Sequence, residues 1–326
     1  MPRPVSNPPN PWLTTHVEWL EEPPPAELEV YEEEARSVLT RNDSPDVGFT
    51  WSVNPYRGCF HACAYCYARP SHQYLGFGAG TDFERRIVVK VNAADVLRGE
   101  LARSSWKRET VAFSGNTDCY QPLEASYGLT RGCLEACLEA GTPVALITKG
   151  ALVRRDVDLL ARLARGPGAE VSITIPFAGE DVGRRVEPGA PSPSRRFETL
   201  RVLSSAGIPV GIGISPVIPG LNESDVPALL ARAREAGATS AFMTLLRLPG
   251  EVQQVFRERI GQAFPERARR IESAILEARG GAWNDPRFGE RMRGRGPRWQ
   301  AVERLFEIHC RRNGLQGPRR AGPARP

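Results

Sequence analysis

The sequence predicts an α/β fold, built as a complete or partial (β/α) barrel with an extension at each end of the chain. Short apolar runs rich in β-branched residues recur along the chain, and helix-like stretches separate them. Alternating strands and helices form parallel sheets with right-handed crossovers. The number of units, six or more, favours a barrel over a short open sheet. Functional groups are therefore expected at the carboxyl ends of the strands.

The predicted strands are apolar runs, most of them four to six residues long and without polar alternation. This pattern is typical of strands that are buried on both faces. The runs are Phe49–Val53, Ile87–Val91, Val111–Ser114, Val144–Thr148, Val171–Pro176, Val210–Ser215 and Ala241–Leu246.

The predicted helices occupy the stretches between these runs, and glycines mark where three of them should end. Gly141, Gly207 and Gly237 each follow a helical stretch, and glycine readily takes the left-handed conformation found at helix C-termini. The predicted helices are Ala93–Arg103, Gly128–Ala140, Asp156–Arg165, Ser194–Ala206, Asp225–Ala236 and a long one near Gln253–Ala278.

Composition and charge divide the chain into four segments. A proline-rich N-terminal extension, 1–46, carries ten acidic and three basic residues, a net charge of −7. The barrel-like core spans 47–250, a helical region spans 251–314, and a tail predicted to be disordered covers 315–326. Residues 1–45 are also expected to be mostly extended or disordered, because such segments lack the apolar density that offsets the entropy cost of ordering.

The composition is that of a soluble protein, with 41% hydrophobic and 25% charged residues. Met1–Asn10 shows no apolar core of a secretory signal. The longest charge-free run, Val202–Asn222, is interrupted by three prolines and cannot form a regular membrane-spanning helix. These observations predict a cytoplasmic location and no membrane partner. In that compartment the seven cysteines should be thiols, ligands or core residues.

The most informative segment holds three cysteines in a short stretch, Cys59, Cys63 and Cys66. Three thiolates at this spacing can all turn inward from one loop. They leave one iron of a cubane cluster without a protein ligand, and a substrate can chelate there. The alternative is zinc, but a structural zinc site normally has four ligands. The fourth would have to be His61, His72 or a distant cysteine.

The spacing of these cysteines, with Tyr65 just before the third, closely resembles the radical SAM superfamily. The resemblance implies a partial (β/α)6 TIM-type barrel of the radical SAM type. It also implies a [4Fe–4S] cluster held by the three cysteines and the binding of S-adenosylmethionine. Such an enzyme cleaves S-adenosylmethionine reductively to a 5′-deoxyadenosyl radical, which abstracts hydrogen from a substrate. A one-electron donor of the flavodoxin or ferredoxin type is implied as a partner.

Further matches at successive strand ends resemble the spore photoproduct lyase-like branch, also described as DNA repair photolyase-like. The segment ending at Asp118 looks like the part of that branch that holds the amino group of S-adenosylmethionine. The resemblance therefore assigns Ser114, Gly115, Asn116 and Asp118 to the cofactor. Lys149 ends the next strand, where related enzymes place a group near the methionyl carboxylate. A lysine in such a loop can also be simply solvated.

Three more strand ends continue the resemblance. Ser172 and Thr174 lie on the following strand, in positions suited to the ribose hydroxyls. Glu187 and Arg196 are similar to a Glu-Pro…Arg stretch of the same branch and are assigned to the cofactor site. Ile218 takes the adenine-binding position of a G-x-I-x-G-x-x-E pattern. This chain departs from that pattern at its first residue, where proline replaces glycine.

The remaining cysteines have less specific signals. Cys119 follows a strand end, so it is a candidate for returning a hydrogen atom to a substrate radical. It does not fall on the cysteine position that the lyase branch uses for this. Cys133 and Cys137 are four residues apart on a predicted helix, and buried thiols are favoured there over a second cluster. Cys310 is expected to be structural.

The basic C-terminal region leaves several interpretations open. Residues 287–326 carry eleven arginines and three glutamates, a net charge of +8, and include Phe288 and Trp299. Arginines bind phosphates and aromatic rings stack on bases, so the region can clamp nucleic acid. It can equally cap the barrel mouth, pack on the acidic N-terminal segment, or remain solvated.

The sequence leaves the identity of the substrate open for the same reason. A nucleic acid, as in a DNA repair lyase, is one interpretation, and a peptide, protein or small molecule is the other. A non-catalytic metal-binding module would leave the series of S-adenosylmethionine contacts unexplained.

Overall fold

The computed structural model describes residues 27–317, and its main feature is a seven-stranded sheet. Six strands run parallel, while the seventh pairs in the antiparallel sense at one edge. In sheet order the strands are β10 (Ser240–Leu245), β9 (Val210–Val217), β8 (Ala169–Thr174), β7 (Val144–Thr148), β6 (Val111–Phe113), β3 (Trp51–Val53) and β2 (Leu39–Arg41). Over the described residues the two edge strands do not pair with each other, so the sheet is open. The α/β class and the partial barrel with six parallel strands are confirmed.

The predicted strand at Ile87–Val91 does form, but it belongs to a second sheet. There β5 (Arg86–Lys90) pairs in parallel with β1 (Glu29–Glu33) and antiparallel with β4 (Tyr56–Arg57). The apolar run correctly indicated a buried strand. It could not indicate which sheet the strand joins, because the partner strands are distant in sequence.

The N-terminal segment is extended, but the expectation of disorder is wrong where the segment is described. Both β1 and β2 lie in it, and their backbone groups are paired with neighbouring strands. The Glu100 carboxylate also accepts hydrogen bonds from the amides of Val38 and Leu39, at 3.2 and 2.9 Å. These paired backbone groups compensate for the low apolar content of the segment. Residues 1–26 lie outside the described range.

Five of the six predicted helices begin and end within two residues of the predictions, and the exception is the long one near Gln253–Ala278. That prediction is wrong, because Pro265 cannot donate a helical hydrogen bond and disfavours helical backbone at the residue before it. Two helices form there instead. The helices are α1 (Thr81–Arg85), α2 (Ala93–Leu101), α3 (Glu124–Tyr127), α4 (Leu129–Glu139), α5 (Val157–Arg165), α6 (Glu180–Val186), α7 (Pro193–Ser205), α8 (Val226–Glu235), α9 (Val252–Ala263), α10 (Ala268–Ala278) and α11 (Gly296–Arg312). None of them is both long and apolar enough to cross a membrane.

Alternation along the strands separates the packed core from the opposite face of the sheet. On β8, Val171 and Ile173 are fully buried in the cluster that includes Leu203 of α7. Because successive side chains point to opposite faces, Ser172 and Thr174 face away from this cluster. On β8, the face opposite this cluster therefore presents two polar side chains.

The end of the described chain lies along the edge strand β10. The carbonyl of Gln316 accepts from the amide of Ala241 at 2.8 Å, and the amide of Gln316 donates to Thr239 at 2.9 Å. Leu315 is buried in the main core. The predicted disorder from residue 315 is therefore wrong for residues 315–317, because they extend the hydrogen bonding of an open sheet edge. The rest of the predicted tail, 318–326, falls outside the described range.

Candidate functional site

The three cysteines lie on one loop after β4, and the loop is shaped by its own backbone. The amide of Ala62 donates to the carbonyl of Cys59, and the amide of Cys66 donates to that of Cys63, each at 3.3 Å. Ala62 has a φ of 56°, so the chain turns sharply between the first two cysteines. Cys59 and Cys63 are each 7% exposed, while Cys66 is only partly buried. The loop thus directs three thiols into the protein from one side.

The three thiols are close together without forming a site for a single metal ion. Burial raises the pKa of all three, and that of Cys63 reaches about 12 although Lys149 opposes the rise. Asp118, and then Cys63 and Cys66, further raise the pKa of Cys59. Within residues 27–317, no three His, Cys, Asp or Glu side chains converge as ligands of one ion. The donor set of three cysteine thiols on one loop fits a cubane, whose cysteines each bind a different iron as thiolates.

Three buried charged side chains, Arg69, Glu84 and Arg259, hold the cysteine loop in place. Arg69 donates to the carbonyl of Cys63 at 2.8 Å and pairs with Glu84 of α1. Arg259 of α9 pairs with the same carboxylate at 2.5 Å and donates to the carbonyl of Ala62 at 2.5 Å. The C-terminal helical region therefore fixes the loop directly. Sequence reasoning missed these residues, because nothing in the local sequence shows that a helical arginine reaches a distant loop.

Asp118 links the cysteine loop to two strand ends. Its carboxylate accepts from Thr148 Oγ1 at 2.5 Å and from the Lys149 amide at 2.7 Å, and it lies 3.3 Å from His61 Nδ1. Burial opposes ionisation, but His61, Thr148 and the Lys149 amide hold the pKa of Asp118 well below its usual value. Its carboxylate is thus engaged with protein groups and positions the loops around it.

The segment assigned to the amino group of S-adenosylmethionine forms a tight turn after β6. Ser114 has a φ of 74°. The Asn54 side-chain oxygen accepts from the amides of Gly115 and Asn116, at 3.1 and 3.5 Å. The carbonyl of Gly115 accepts from the Tyr67 hydroxyl at 2.5 Å. Asn54 and Tyr67 were not predicted from the sequence, although both lie beside predicted features, at the end of β3 and next to Cys66.

Lys149 lies at the carboxyl end of β7 in a buried polar group. Its Nζ is 3.8 Å from Glu187 Oε1 and 5.7 Å from the centre of the Tyr65 ring. The other oxygen of Glu187 pairs with Arg196 at 2.5 Å, and the Tyr65 hydroxyl donates to Oε1. Burial opposes the charge on Glu187, but Arg196 and then Lys149 keep its pKa below the usual value. Burial likewise opposes the charge on Lys149, but Cys63 and Glu187 raise its pKa.

The structure brings several predicted residues into this group. Ile218 immediately follows β9 and is fully buried in the apolar cluster that contains Cys63 and Tyr65. Ser172 is partly exposed on the uncovered face of β8, and Thr174 is buried near the end of the same strand. Ile218 and Thr174, whose carbonyl accepts from Arg196 at 3.0 Å, therefore lie with the Lys149 group at the carboxyl ends of the strands, whereas Ser172 lies within β8.

Cys119 has different surroundings from the cluster cysteines. It is fully buried within the main hydrophobic core, in the same cluster as Cys133 and Cys137. Burial raises its pKa well above the usual value. The packing explains its presence, and its role as a hydrogen donor stays a prediction. Cys133, Cys137 and Cys310 are buried free thiols, as expected.

The segment 284–295 bridges the two edges of the open sheet, and we call it the strap. On one side the carbonyl of Met292 accepts from the amide of Leu245 in β10, at 3.1 Å. On the other side Arg291 pairs with Asp46, between β2 and β3, and the Gly289 amide donates to Asp46 at 2.6 Å. One of the open interpretations, a contact with the acidic N-terminal segment, is thus met by the strap at Asp46, and a cap on the barrel mouth stays a prediction.

The two aromatic residues expected to stack on bases differ sharply in exposure. Trp299 is 2% exposed and packs with Val302 and Phe306 of α11 in the main core. The expectation that Trp299 stacks on bases is therefore wrong, because its side chain lies on the apolar face of α11 that packs into the core. Phe288 in the strap is 60% exposed.

Comparisons with known proteins agree with this geometry. The uncharacterized protein Rv2578c of Mycobacterium tuberculosis (strain H37Rv) is 40% identical over 263 residues, which cover 80% of this chain and 76% of that protein. The radical SAM Nalpha-GlyT isomerase of Pseudomonas phage M6 is 27% identical over 236 residues, covering 71% of this chain and 46% of that protein. A structure of a spore photoproduct lyase mutant matches with a TM-score of 0.61 at 17% identity, covering 88% of this chain and 81% of that one.

The family assignment rests on a match to a family model. The family model described as the Radical SAM superfamily matches residues 53–233, which include the cysteine loop and five of the six parallel strand ends. Because this match covers more than half of the chain, the protein belongs to the radical SAM superfamily, whose enzymes use a [4Fe–4S] cluster and S-adenosylmethionine.

Proposed function

We propose that this radical SAM enzyme removes a hydrogen atom from a nucleic acid substrate. The observation that carries the radical chemistry is the position of the cysteine loop beside Lys149, whose Nζ lies 5.7 Å from the centre of the Tyr65 ring at the carboxyl end of β7. When bound, the cluster and S-adenosylmethionine supply the one-electron reduction and the 5′-deoxyadenosyl radical that abstracts hydrogen.

The chain's own residues have distinct tasks in this proposal. Cys59, Cys63 and Cys66 would hold the cluster through their thiolates. Lys149, held by Glu187 beside Cys63, supplies a buried positive charge for the methionyl carboxylate. A charge-assisted hydrogen bond of this kind is stronger than a neutral one.

Other residues orient the rest of the cofactor. The turn Ser114–Asn116, fixed by Asn54, presents polar groups to the amino group of S-adenosylmethionine. Ser172 and Thr174 serve the ribose hydroxyls, and Ile218 serves the adenine ring. Arg196 acts through Glu187 and is a positioning residue.

One structural neighbour supports nucleic acid as the substrate class. Spore photoproduct lyase, whose fold this chain shares, has been solved in complex with a dinucleoside spore photoproduct. The exposed Phe288 and the arginines of the strap are consistent with such a substrate. The flavodoxin- or ferredoxin-type donor and the cytoplasmic location remain predictions.

Isotope transfer tests this proposal. The reconstituted protein is incubated under reducing, anaerobic conditions with S-adenosylmethionine and, in separate reactions, with deuterated oligodeoxynucleotides or deuterated oligoribonucleotides. We expect deuterium to appear in 5′-deoxyadenosine, as detected by mass spectrometry. Formation of 5′-deoxyadenosine without deuterium from DNA or RNA would reject nucleic acid and favour a peptide, protein or small molecule. The Lys107→Ala variant, altered at an exposed lysine, serves as a control for the preparation.

A further inference from the structure

An unusual arrangement of charge and aromatic rings lies after the carboxyl end of β10. Arg247 follows this strand by two residues, and its guanidinium carbon lies 5.2 Å from the centre of the Tyr67 ring. Tyr67 in turn donates its hydroxyl to Gly115 after β6. Arg247 and Tyr67 thus connect an edge strand to a strand near the other edge, directly beside the cysteine loop.

Arg247 lacks an acidic partner within residues 27–317. No carboxylate of the described chain lies within 4.0 Å of its guanidinium, although Asp46 is near enough to influence it. Burial and then Arg291 lower the pKa of Arg247. Two guanidinium groups in this position repel each other, and a bound anion would relieve that repulsion.

The strap adds a second cation and an exposed ring. The guanidinium carbon of Arg291 lies 4.5 Å from the centre of the Phe288 ring. Arg291 is held in place by Asp46 and Ser44, so its orientation is fixed before any ligand binds. Phe288 presents most of its ring to solvent. The patch therefore combines one guanidinium group that is fixed in place, a second one that lies over the Tyr67 ring, and the exposed ring of Phe288.

We propose that Arg247 and Arg291 bind a backbone phosphate of the substrate nucleic acid, while Phe288 stacks on a neighbouring base. This inference rests on the proposed function and names where the substrate strand is held. The planar guanidinium fork matches phosphate oxygens, and aromatic faces accept any base. An acidic peptide would use the two charges but would leave the exposed ring without a planar partner.

Binding titrations with a short single-stranded, thymidine-rich oligodeoxynucleotide test the subsite. In Arg247→Gln, we expect affinity at low salt to fall by about tenfold, because a charge-assisted hydrogen bond is lost. The log–log dependence on salt should become less steep by about 0.7, the value for one phosphate contact on a single strand. Arg247→Lys keeps the charge and should keep the slope, although it loses the fork geometry.

Two further variants distinguish a loss of oligonucleotide binding from a loss of folding. Phe288→Ala alters an exposed ring that takes no part in the core, and it should weaken binding by about tenfold without changing the salt slope. Arg165→Gln, at an exposed arginine in the last turn of α5, is the matched control and should bind like the unsubstituted protein. Iron content after reconstitution reports whether each variant retains its fold.

The outcomes separate this inference from the proposed function. If the unsubstituted protein binds the oligonucleotide but Arg247→Gln and Phe288→Ala bind equally well, the subsite is wrong and the substrate class stands. If the unsubstituted protein binds no oligonucleotide at low salt, the substrate class and the subsite both fail. Competition by a polyglutamate peptide as effective as that by a polythymidine strand would also overturn the subsite.

Discussion

Lys149 is the residue on which the cofactor arrangement depends most. It is a lysine in a buried setting, beside Cys63 and paired with Glu187, rather than a solvated side chain of a loop. A lysine that is kept charged by a buried carboxylate can face a ligand carboxylate without a large rearrangement. The sequence indicated its position at a strand end, but the glutamate that stabilises its charge could be identified as a neighbour only in the fold.

Substitution at Lys149 or Asn116 should separate cofactor binding from cluster binding. In Lys149→Ala and Asn116→Ala, we expect S-adenosylmethionine affinity to fall by about 1.5–3 kcal/mol, the cost of one lost charge-assisted hydrogen bond. Equilibrium dialysis with labelled S-adenosylmethionine measures the change, and iron content should stay constant. Lys107→Ala provides the control, and equal affinities in all three variants would reduce Lys149 and Asn116 to ordinary loop residues.

Gly58 is required by the geometry of the cysteine loop. Its φ is 79°, and a Cβ would lie 2.9 Å from Phe83 O and 3.0 Å from the His72 ring. We expect Gly58→Ala to lower the free energy of unfolding by more than the roughly 1–2 kcal/mol that backbone strain alone costs. Gly76→Ala is the matched control, since Gly76 has a φ of 77° with open space around it. Equal losses by denaturant unfolding would show that the contact with Phe83 is unimportant.

At the scale of elements, the cysteine loop is held by α9, which lies beyond the residues that the family model matches. Arg259→Met should remove the bonds to Ala62 and Glu84 and cost about 1–3 kcal/mol, because buried acceptors lose a partner. The reconstituted variant should therefore lose iron to a chelator faster than the unsubstituted protein, as followed by visible absorption. Arg257→Met, on the same helix but half exposed, should not change the rate. Unchanged iron loss in Arg259→Met would contradict the role of α9.

The same elements show what the sequence can and cannot predict. Apolar runs and terminal glycines are local signals, so the strands and most helices could be predicted with their approximate limits. The run at Ile87–Val91 gave the strand but not its sheet, since pairing depends on β1 and β4. The burial of Trp299 also escaped prediction, because its neighbourhood of arginines resembled a solvent-exposed surface.

In the whole molecule, the strap replaces strand pairing between the two edges of the open sheet. Asp46→Asn should weaken the pair that Arg291 of the strap makes with residue 46, while the bond between Met292 and Leu245 of β10 stays intact. We expect amide hydrogen exchange to increase around Gly289 and Arg291 of the strap, and to remain unchanged at the end of β10 and in β6 and β7. Asp43→Asn, which alters an exposed pair with Arg41, is the control. Unchanged exchange in the strap would show that the Asp46 pair does not hold it.

The sequence predicts the cluster cysteines and the residues at the strand ends better than it predicts the residues that surround them. The three cysteines carry a spacing that is specific on its own, and Lys149 and Ile218 were recognisable by their order at successive strand ends. Arg259, Asn54 and Arg247 carry no such pattern, because a lone polar residue beside a strand or on a helix has no distinctive sequence signal. Their contacts arise only when distant segments meet.

The most direct test of the account is anaerobic reconstitution with iron and sulfide, followed by reductant and S-adenosylmethionine. The unsubstituted protein should bind about four iron atoms, as a cubane requires, and should form 5′-deoxyadenosine. Cys63→Ala should lose both properties, whereas Cys310→Ala, at a buried cysteine outside the loop, should keep them. Full iron content in Cys63→Ala, or no 5′-deoxyadenosine from the fully loaded unsubstituted protein, would contradict the central claim.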